Sequence, residues 1–227
     1  MELKGLEVIY NNLSYMMWGN FPGGIFLTLL MSFLAILFST FLGILAGIGL
    51  TVFKGGIRYL LVGVLGFLRA IPVIMLIFWT YFLLPVLLNI DVSAIATVIF
   101  SLSLIGAAYI GHSVHAGMIA VAKEQWQAAF SLGLNKKQVI LFIILPQALK
   151  MMLPSFVNQW VSLIKDTSLA YIVGVAEFIF IATQVNNRSM VYSTEIFLFV
   201  IVVYFIICAS LDFAVSILPK LRLFCFK

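Results

Sequence analysis

The chain has 227 residues, of which 64% are hydrophobic and only 9% are charged, and its mean hydropathy is +1.20. A water-soluble domain carries about a quarter charged residues, so this composition excludes a soluble globular protein and indicates that lipid is the solvent. The net charge of +5 does not point to nucleic acid, because membrane proteins acquire basic loops for topological reasons.

The first 20 residues are more polar than the rest of the chain. They mix Glu2, Lys4 and Glu7 with asparagine and serine, and the apolar run starts only near Phe21. A secretory signal has a basic start, a short apolar core and a small-residue cleavage site in that order, and this segment does not. We therefore predict an N-terminal surface segment over residues 1–20, as a short helix lying on the membrane.

Five apolar segments follow in chain order. They cover about residues 23–53, 59–84, 92–120, 151–182 and 194–218. A helix that spans the bilayer needs only about 20 apolar residues, so each segment is long enough. We predict an all-α membrane protein of about five transmembrane helices. One domain over residues 21–218 precedes a basic tail at 219–227, and the fourth segment, with Lys165-Asp166 inside it, allows one interrupted helix.

Lysine and arginine collect on one side of this pattern. Nine lie in alternate loops or the tail and two lie on the opposite side, leaving out Arg69 and Lys165 within or near spans. Positively charged loops stay in the cytoplasm, so the prediction is an external N-terminus and a cytoplasmic C-terminus. The nine are Lys54, Arg58, Lys123, Lys136, Lys137, Lys150, Lys220, Arg222 and Lys227, and the two are Lys4 and Arg188.

The cytoplasmic loop at about 121–150 contains a predicted helix from Lys123 to Leu132. Ala128 and Ala129 favour helix, and Gly133 can close it in the left-handed conformation. A short helix with small residues at its centre can enter a groove on a partner. An ordinary amphipathic loop helix explains the same residues equally well.

The spacing of this loop carries a family resemblance. Gln127-Ala128-Ala129, Gly133 and Ile143-Ile144-Leu145-Pro146 resemble the signature loop of the permeases of ATP-binding-cassette (ABC) importers. That signature reads Glu-Ala-Ala, three residues, Gly, nine residues, Ile-x-Leu-Pro. The resemblance implies a coupling helix that docks into a cleft on the ATPase. Gln127 departs from the usual Glu and lacks the charge for a salt bridge to the ATPase. The predicted coupling residues are Glu124, Gln127, Ala128, Ala129 and Gly133.

Other motifs resemble the polar amino-acid branch of these permeases. They are Leu145-Pro146-Gln147-Ala148, Lys165-Asp166-Thr167-Ser168-Leu169, Gly174-Val175-Ala176-Glu177-Phe178 and Leu68-Arg69-Ala70-Ile71-Pro72. Residues 69–75, read as Arg-x-Ile-Pro-Val-Ile-Met, look most like the members that import glutamate and aspartate. One departure is clear. Where the family usually carries Glu three residues after Tyr109 and Arg three further on, this chain has His112 and His115.

The resemblance implies a type I ABC importer permease fold in the bacterial inner (plasma) membrane. The implied partners are an ATPase dimer, a second permease that is identical or related, an extracytoplasmic amino-acid-binding protein and the amino acid itself. ATP would bind the partner ATPase, because no phosphate-binding glycine loop occurs in this chain. We therefore expect no cofactor of its own, no enzyme activity and no nucleic-acid partner. The alternatives are a self-contained secondary transporter or channel and, with less support, a membrane-embedded enzyme.

Charged residues inside a span are costly and mark a bundle interior or an aqueous path. Asp166, Thr167 and Ser168 offer a carboxylate and two hydroxyls, which suit the ammonium group of an amino acid. Asp166 could instead cap a helix that begins at Thr167, or pair with Arg69 or Lys165. Arg69 could meet an acidic substrate or reach lipid phosphates. We predict a substrate pathway that includes Asp166, Thr167, Ser168, Arg69 and His112.

The remaining polar groups give weaker signals. His112 and His115 share a helix face, but two imidazoles without a third ligand make a poor metal site, so no metal is predicted. Glu177, expected in the outer half of the fourth span, and Asp212 are read as buried hydrogen-bond partners. Cys208 and Cys225 should lie at different depths, and no disulfide is expected.

Overall fold

The computed structural model describes the backbone of residues 2–223 and the side chains of residues 5–215. In this part of the chain every regular element is a helix, which confirms the all-α prediction. The α-helices are α1 (Glu2–Trp18), α2 (Gly24–Val52), α3 (Gly56–Ala70), α4 (Val73–Phe78), α5 (Leu84–Leu88), α6 (Ala94–Ala120), α7 (Lys123–Ser131), α8 (Lys136–Gln138), α9 (Leu145–Asp166), α10 (Phe178–Ser189) and α11 (Ser193–Leu223). Two π-helical turns, Trp79–Leu83 and Val139–Ile144, and a 3₁₀ helix, Thr167–Val173, join some of them.

Four helical stretches in the described residues are long and apolar enough to cross a membrane, and a bent pair of helices makes a fifth if it counts as one span. The four are Gly24–Val52, Ala94–Ala120, Lys136–Val173 and Ser193–Val215, and the pair is Gly56–Ala70 with Val73–Leu88. This agrees with the prediction of about five spans.

Two of the predicted spans have wrong boundaries. The second segment, predicted as 59–84, is broken at Ile71-Pro72, because proline disfavours helical backbone in the residue before it. Arg69 therefore lies in the last turn of α3 and does not start a span. The fourth, predicted as 151–182, extends from Lys136 to Val173.

The fourth stretch is interrupted inside, as its sequence allowed. It passes from α-helix to 3₁₀ helix at Thr167 and ends at Gly174, whose φ of 77° is left-handed. Glu177 therefore follows this stretch, and its side chain caps the separate helix α10. The expectation that Glu177 lies in the outer half of the fourth span is wrong.

Contacts divide the chain into two compact units. The first contains the described residues up to 35, residues 73–102 and those from 160 onward. Its core gathers side chains from α1, α2, α10 and α11, and the largest that is fully buried is Phe178. The second contains residues 36–72 and 103–159, with a small buried cluster of Leu50, Leu65 and Ala108.

Helices α2 and α6 approach each other closely within the second unit. A Cβ atom added to Gly43 would lie 2.6 Å from Cγ2 of Ile110, and one added to Gly47 would lie 2.5 Å from Cβ of Val114. Larger side chains at either glycine would push the helices apart, so the glycines allow the contact. The sequence places three glycines, Gly43, Gly47 and Gly49, in the first span, which predicts close helix approach there. The structure confirms that packing role for Gly43 and Gly47.

The N-terminal helix predicted before the first span is α1, which ends at Trp18. At the other end α11 extends to Leu223, beyond the predicted limit at residue 218. Cys208 is a free thiol, whereas Cys225 and part of the basic tail lie outside the described residues.

Candidate functional site

The predicted coupling helix is present as α7. It is nine residues long and ends in a left-handed glycine, Gly133, with φ of 78°. The amide of Gly133 donates to the carbonyl of Phe130 at 3.0 Å, and that of Leu134 donates to Ala129 at 3.3 Å. These two bonds form a Schellman motif, which satisfies carbonyls that a helix end otherwise leaves free. The geometry confirms the predicted left-handed cap.

The two alanines at the centre of α7 differ in exposure and point about 100° apart. Ala129 is buried and Ala128 is exposed, as are Glu124 and Gln127. The helix therefore anchors itself on the second unit through Ala129 and presents the methyl group of Ala128 with two polar side chains. No charge-bearing side chain occupies position 127, so docking there would rest on shape and hydrogen bonds.

A second cap fixes the turn after α7. The Asn135 side chain accepts a hydrogen bond from the amide of Gln138 at 3.0 Å, and the Gln138 side chain accepts one from the amide of Asn135 at 2.9 Å. This reciprocal pair is a capping box. Lys136, inside it, donates to the carbonyl of Val52 at the end of α2, over 3.4 Å. The loop is thus ordered by local bonds at both ends.

The π turn Val139–Ile144 carries the chain from this loop into α9. Pro146 has no amide hydrogen and its ring crowds the carbonyl four residues earlier, which disturbs an ordinary helix. The amide of Leu145 bonds to Ile140, five residues back. The side-chain amide of Gln147 donates to the carbonyl of Ile143 at 2.8 Å. The Ile-x-Leu-Pro part of the signature therefore forms a wide turn.

In the second unit, Arg69 and the residues around His112 come together. The Arg69 guanidinium carbon lies 5.1 Å from the centre of the Tyr109 ring, a cation–π contact. His112 is three residues after Tyr109 on α6 and shares its face. Its Nε2 atom is shielded from solvent and has no hydrogen-bond partner among the described residues. The structure thus places the Arg69 guanidinium over the Tyr109 ring, with His112 one helical turn further along α6.

His115, unlike His112, has a hydrogen-bond partner of its own. Its Nδ1 atom lies 2.9 Å from the hydroxyl of Thr51 on α2. Among the described residues no group of three histidine, cysteine, aspartate or glutamate side chains could hold a metal ion. The histidine pair therefore splits into a bonded residue, His115, and a residue with a free ring nitrogen, His112.

The predicted polar cluster of the fourth span lies in the first unit. Asp166 occupies the position before the 3₁₀ helix, but its side chain makes no capping hydrogen bond to that helix. Thr167 is fully buried and its hydroxyl donates to the carbonyl of Ile164 at 2.7 Å, while Ser168 is half-buried. The hydroxyl of Thr167 is thus bonded to backbone, which leaves Asp166 and Ser168 as the better candidates for a ligand.

Glu177 is a structural centre of the first unit, which confirms its prediction as a buried hydrogen-bond partner. It is 0% exposed. Its two carboxylate oxygens accept from the amides of Ile179 and Phe180, each at 2.9 Å. The hydroxyls of Thr28 on α2 and Tyr204 on α11 each lie 3.4 Å from Oε2. One carboxylate thus connects three helices of the first unit.

The signal for this role was present in the sequence. Glu177 follows Gly174 and precedes an apolar run, which is the pattern of a helix start after a glycine stop. Burial raises the pKa of Glu177 to about 7, although hydrogen bonds to the amides of Ile179 and Phe180 and to Thr28 and Tyr204 oppose that rise.

The comparisons with known proteins fit this loop and this set of helices. Residues 39–222 match the family described as binding-protein-dependent transport system inner membrane component. A probable glutamine ABC transporter permease protein, GlnP, of Bacillus subtilis (strain 168) is 36% identical over 201 residues, covering 84% of this chain and 88% of that protein. The glutamate/aspartate import permease protein GltK of Escherichia coli O157:H7 is 33% identical over 160 residues, covering 67% and 70%.

A solved structure gives the same fold. This is the "Crystal structure of an amino acid ABC transporter with histidines", which superposes with a TM-score of 0.78 at 21% identity, covering 87% of this chain and 91% of that one. The protein is thus a multi-pass inner-membrane component of an ABC importer and not an enzyme. Within that class, the chain belongs to the family of amino-acid permeases.

Proposed function

We propose that this chain and a second permease, identical or related, form the membrane path of an importer for acidic amino acids, with glutamate and aspartate as the substrates. A separate ATPase dimer docks on α7 and supplies the ATP-binding sites. An extracytoplasmic binding protein delivers the amino acid. The N-terminus is external and the C-terminus cytoplasmic.

The observation that carries this proposal is the shape of the loop around α7. A short helix with one buried and one exposed alanine, closed by Gly133, offers a small rigid surface for a groove in a partner. The basic side chains Lys123, Lys136 and Lys137 nearby are exposed, which supports a cytoplasmic location.

The substrate class is supported by the contact of Arg69 with Tyr109 and by the free Nε2 atom of His112. An acidic amino acid carries one carboxylate more than a neutral one, and guanidinium and imidazole nitrogens donate hydrogen bonds to carboxylates. The permeases named for glutamate and aspartate among the relatives point the same way. Asp166, in the first unit, is a separate candidate residue of the substrate pathway.

Alternation of the permease between its two states requires the binding energy of ATP and of the binding protein. ATP-driven closure of the ATPase dimer moves the two coupling helices, and the spans move with them between inward-facing and outward-facing states. A ligand shifts such an equilibrium only through different affinities for the two states. The binding protein and ATP must therefore both favour one state over the other.

Reconstitution tests the proposal. The chain is incorporated in lipid vesicles with its ATPase and binding protein, and ATP hydrolysis and uptake are measured with glutamate, aspartate, glutamine, cystine and histidine. We expect glutamate and aspartate to stimulate both most strongly. Uptake by the chain without the ATPase would identify a secondary transporter and contradict the proposal. Stronger stimulation by a neutral or basic amino acid would contradict the substrate assignment alone.

A further inference from the structure

The N-terminal helix α1 has three distinct faces. Gly5, Ile9 and Met16 are buried and form the face that packs on α10 and α11. The contact is tight, since a Cβ atom on Gly5 would lie 2.8 Å from Cγ of Glu195 on α11. The Tyr15 hydroxyl also donates to Oε1 of Gln184 on α10 at 2.6 Å. The helix is thus firmly attached to the first unit.

Next to the buried face lies an exposed apolar stripe. Leu6, Tyr10, Leu13 and Met17 are 60%, 77%, 37% and 39% exposed. Their spacing of four, three and four residues places them along one side of the helix. No charged residue interrupts the stripe, although this much exposed apolar surface is unfavourable in water.

The third face is polar. Glu7, Asn11 and Ser14 are exposed and follow the first three stripe residues by one position. At about 100° per residue, this face lies beside the stripe and away from the buried face. An apolar side next to a polar side is the pattern of a helix that lies at the boundary between lipid and water.

The stripe continues into surface that faces lipid. The rings of Trp18, Phe21 and Phe26 form a cluster with centroid separations of 5.2–6.4 Å at the junction of α1 and α2. Leu29 and Phe33 in the first turns of α2 are 44% and 64% exposed, and α2 spans the membrane. Tryptophan and tyrosine, here Trp18 of the cluster and Tyr10 of the stripe, are enriched at the level of the lipid headgroups.

We infer that α1 lies in the interfacial layer of the bilayer, with Leu6, Tyr10, Leu13 and Met17 in contact with lipid chains and Glu7, Asn11 and Ser14 in water. The occupant of the stripe is the lipid surface. The inference depends on the chain being a membrane protein and on the packing of α1, and it is independent of the substrate and of the ATPase. Since the stripe itself has no charge, zwitterionic lipid is sufficient.

Spin labels at single cysteines test this placement. In the full chain with Cys208→Ser and Cys225→Ser, cysteines replace Tyr10 and Leu13 on the stripe, and Glu7 and Asn11 on the polar face. The labelled proteins are placed in phosphatidylcholine vesicles, and collisions with dissolved oxygen and with a water-soluble nickel chelate are compared. We expect oxygen to dominate at the stripe and the nickel chelate to dominate at the polar face.

Two results would overturn the inference. Dominance of the nickel chelate at Tyr10 and Leu13 would place the stripe in water. Protection from both reagents would show that protein, such as a second copy of the chain, covers it. A matched pair controls for misfolding: with the label at position 10, Leu13→Asp should shift the balance toward the nickel chelate, while Ser14→Asp should leave it unchanged. Equal effects of both variants would also count against a lipid-facing stripe.

Discussion

At the scale of single residues, Glu177 makes the stability of the first unit depend on pH. Its carboxyl is fully buried and bonded to α2, α10 and α11. Burial raises its pKa to about 7 from an ordinary value of 4.5. The folded protein therefore holds this proton more tightly than the unfolded chain does.

The expected consequence is a loss of stability as the pH rises from 4.5 to about 7. Below pH 4.5 Glu177 is protonated in both the folded and the unfolded protein, and its contribution to the free energy of unfolding is fully present. Above pH 7 that contribution is lost. The size over this range is about 3 kcal/mol. Thermal unfolding in detergent, measured across the range for the wild type and Glu177→Gln, checks it. The variant should have the flatter profile, and parallel profiles would contradict the role of Glu177.

His112 tests the substrate assignment at the same scale. We expect His112→Glu, which restores the residue usual in the family, to lower glutamate-stimulated ATP hydrolysis by about tenfold or more. The reason is that this chain has His115 where the family usually has an Arg to accompany that Glu, so the new carboxylate would pair with Arg69 and repel the substrate carboxylate. Stimulation by glutamine should fall much less. The neutral variant His112→Gln is the control, and an equal loss for both amino acids with His112→Glu would show a structural role instead.

The sequence predicts the contacts of some of these residues and not those of others, for a physical reason. Gly43 and Gly47 were predicted at a close contact because small residues within a span allow few other roles. For Glu177 the sequence predicts only a buried hydrogen-bond partner. Its bonds to the amides of Ile179 and Phe180 are local, but its contacts with Thr28 and Tyr204 join residues 149 and 27 positions apart. Single-sequence patterns do not reveal such distant partners.

At the scale of elements, the end of α7 depends on the backbone of Gly133. With φ of 78°, the position tolerates glycine and asparagine but strains a β-branched residue. We expect Gly133→Asn to retain most substrate-stimulated ATP hydrolysis and Gly133→Val to lose most of it. A Cβ atom at Gly133 would meet nothing within 4 Å, so the difference reports backbone conformation and not crowding within the chain. Equal activity of the two variants would show that the cap does not matter.

Some of the helices and turns can be predicted from the sequence, and others cannot. The helix over 123–131 and its cap were predictable, because alanine, glycine and the polar turn after them are local signals. The two π turns were not predictable from the sequence. They replace the hydrogen bonds of an α-helix by bonds one residue longer, and the pattern of apolar residues does not change. The break at Ile71-Pro72 had a local signal in Pro72. The boundary error arose because the apolar run continues on both sides of it.

At the scale of the whole molecule, composition determined the solvent and the number of spans. It could not determine how the candidate pathway residues relate in space, because Asp166 belongs to one compact unit while Arg69 and His112 belong to the other. The proposed orientation rests on nine basic residues against two. From this imbalance we predict the side of the membrane on which each exposed loop lies.

The most direct measurement is the labelling of a cysteine at Ala128 by a maleimide that cannot cross membranes. In the chain without Cys208 and Cys225, Ala128→Cys should react in inverted vesicles and not in intact cells. Bound ATPase should protect it. Met190→Cys, at a position that is 81% exposed in the loop before the last span, is the matched control and should show the opposite sidedness. Labelling of Ala128→Cys from outside intact cells, or a failure of the ATPase to protect it, would contradict the coupling role of α7.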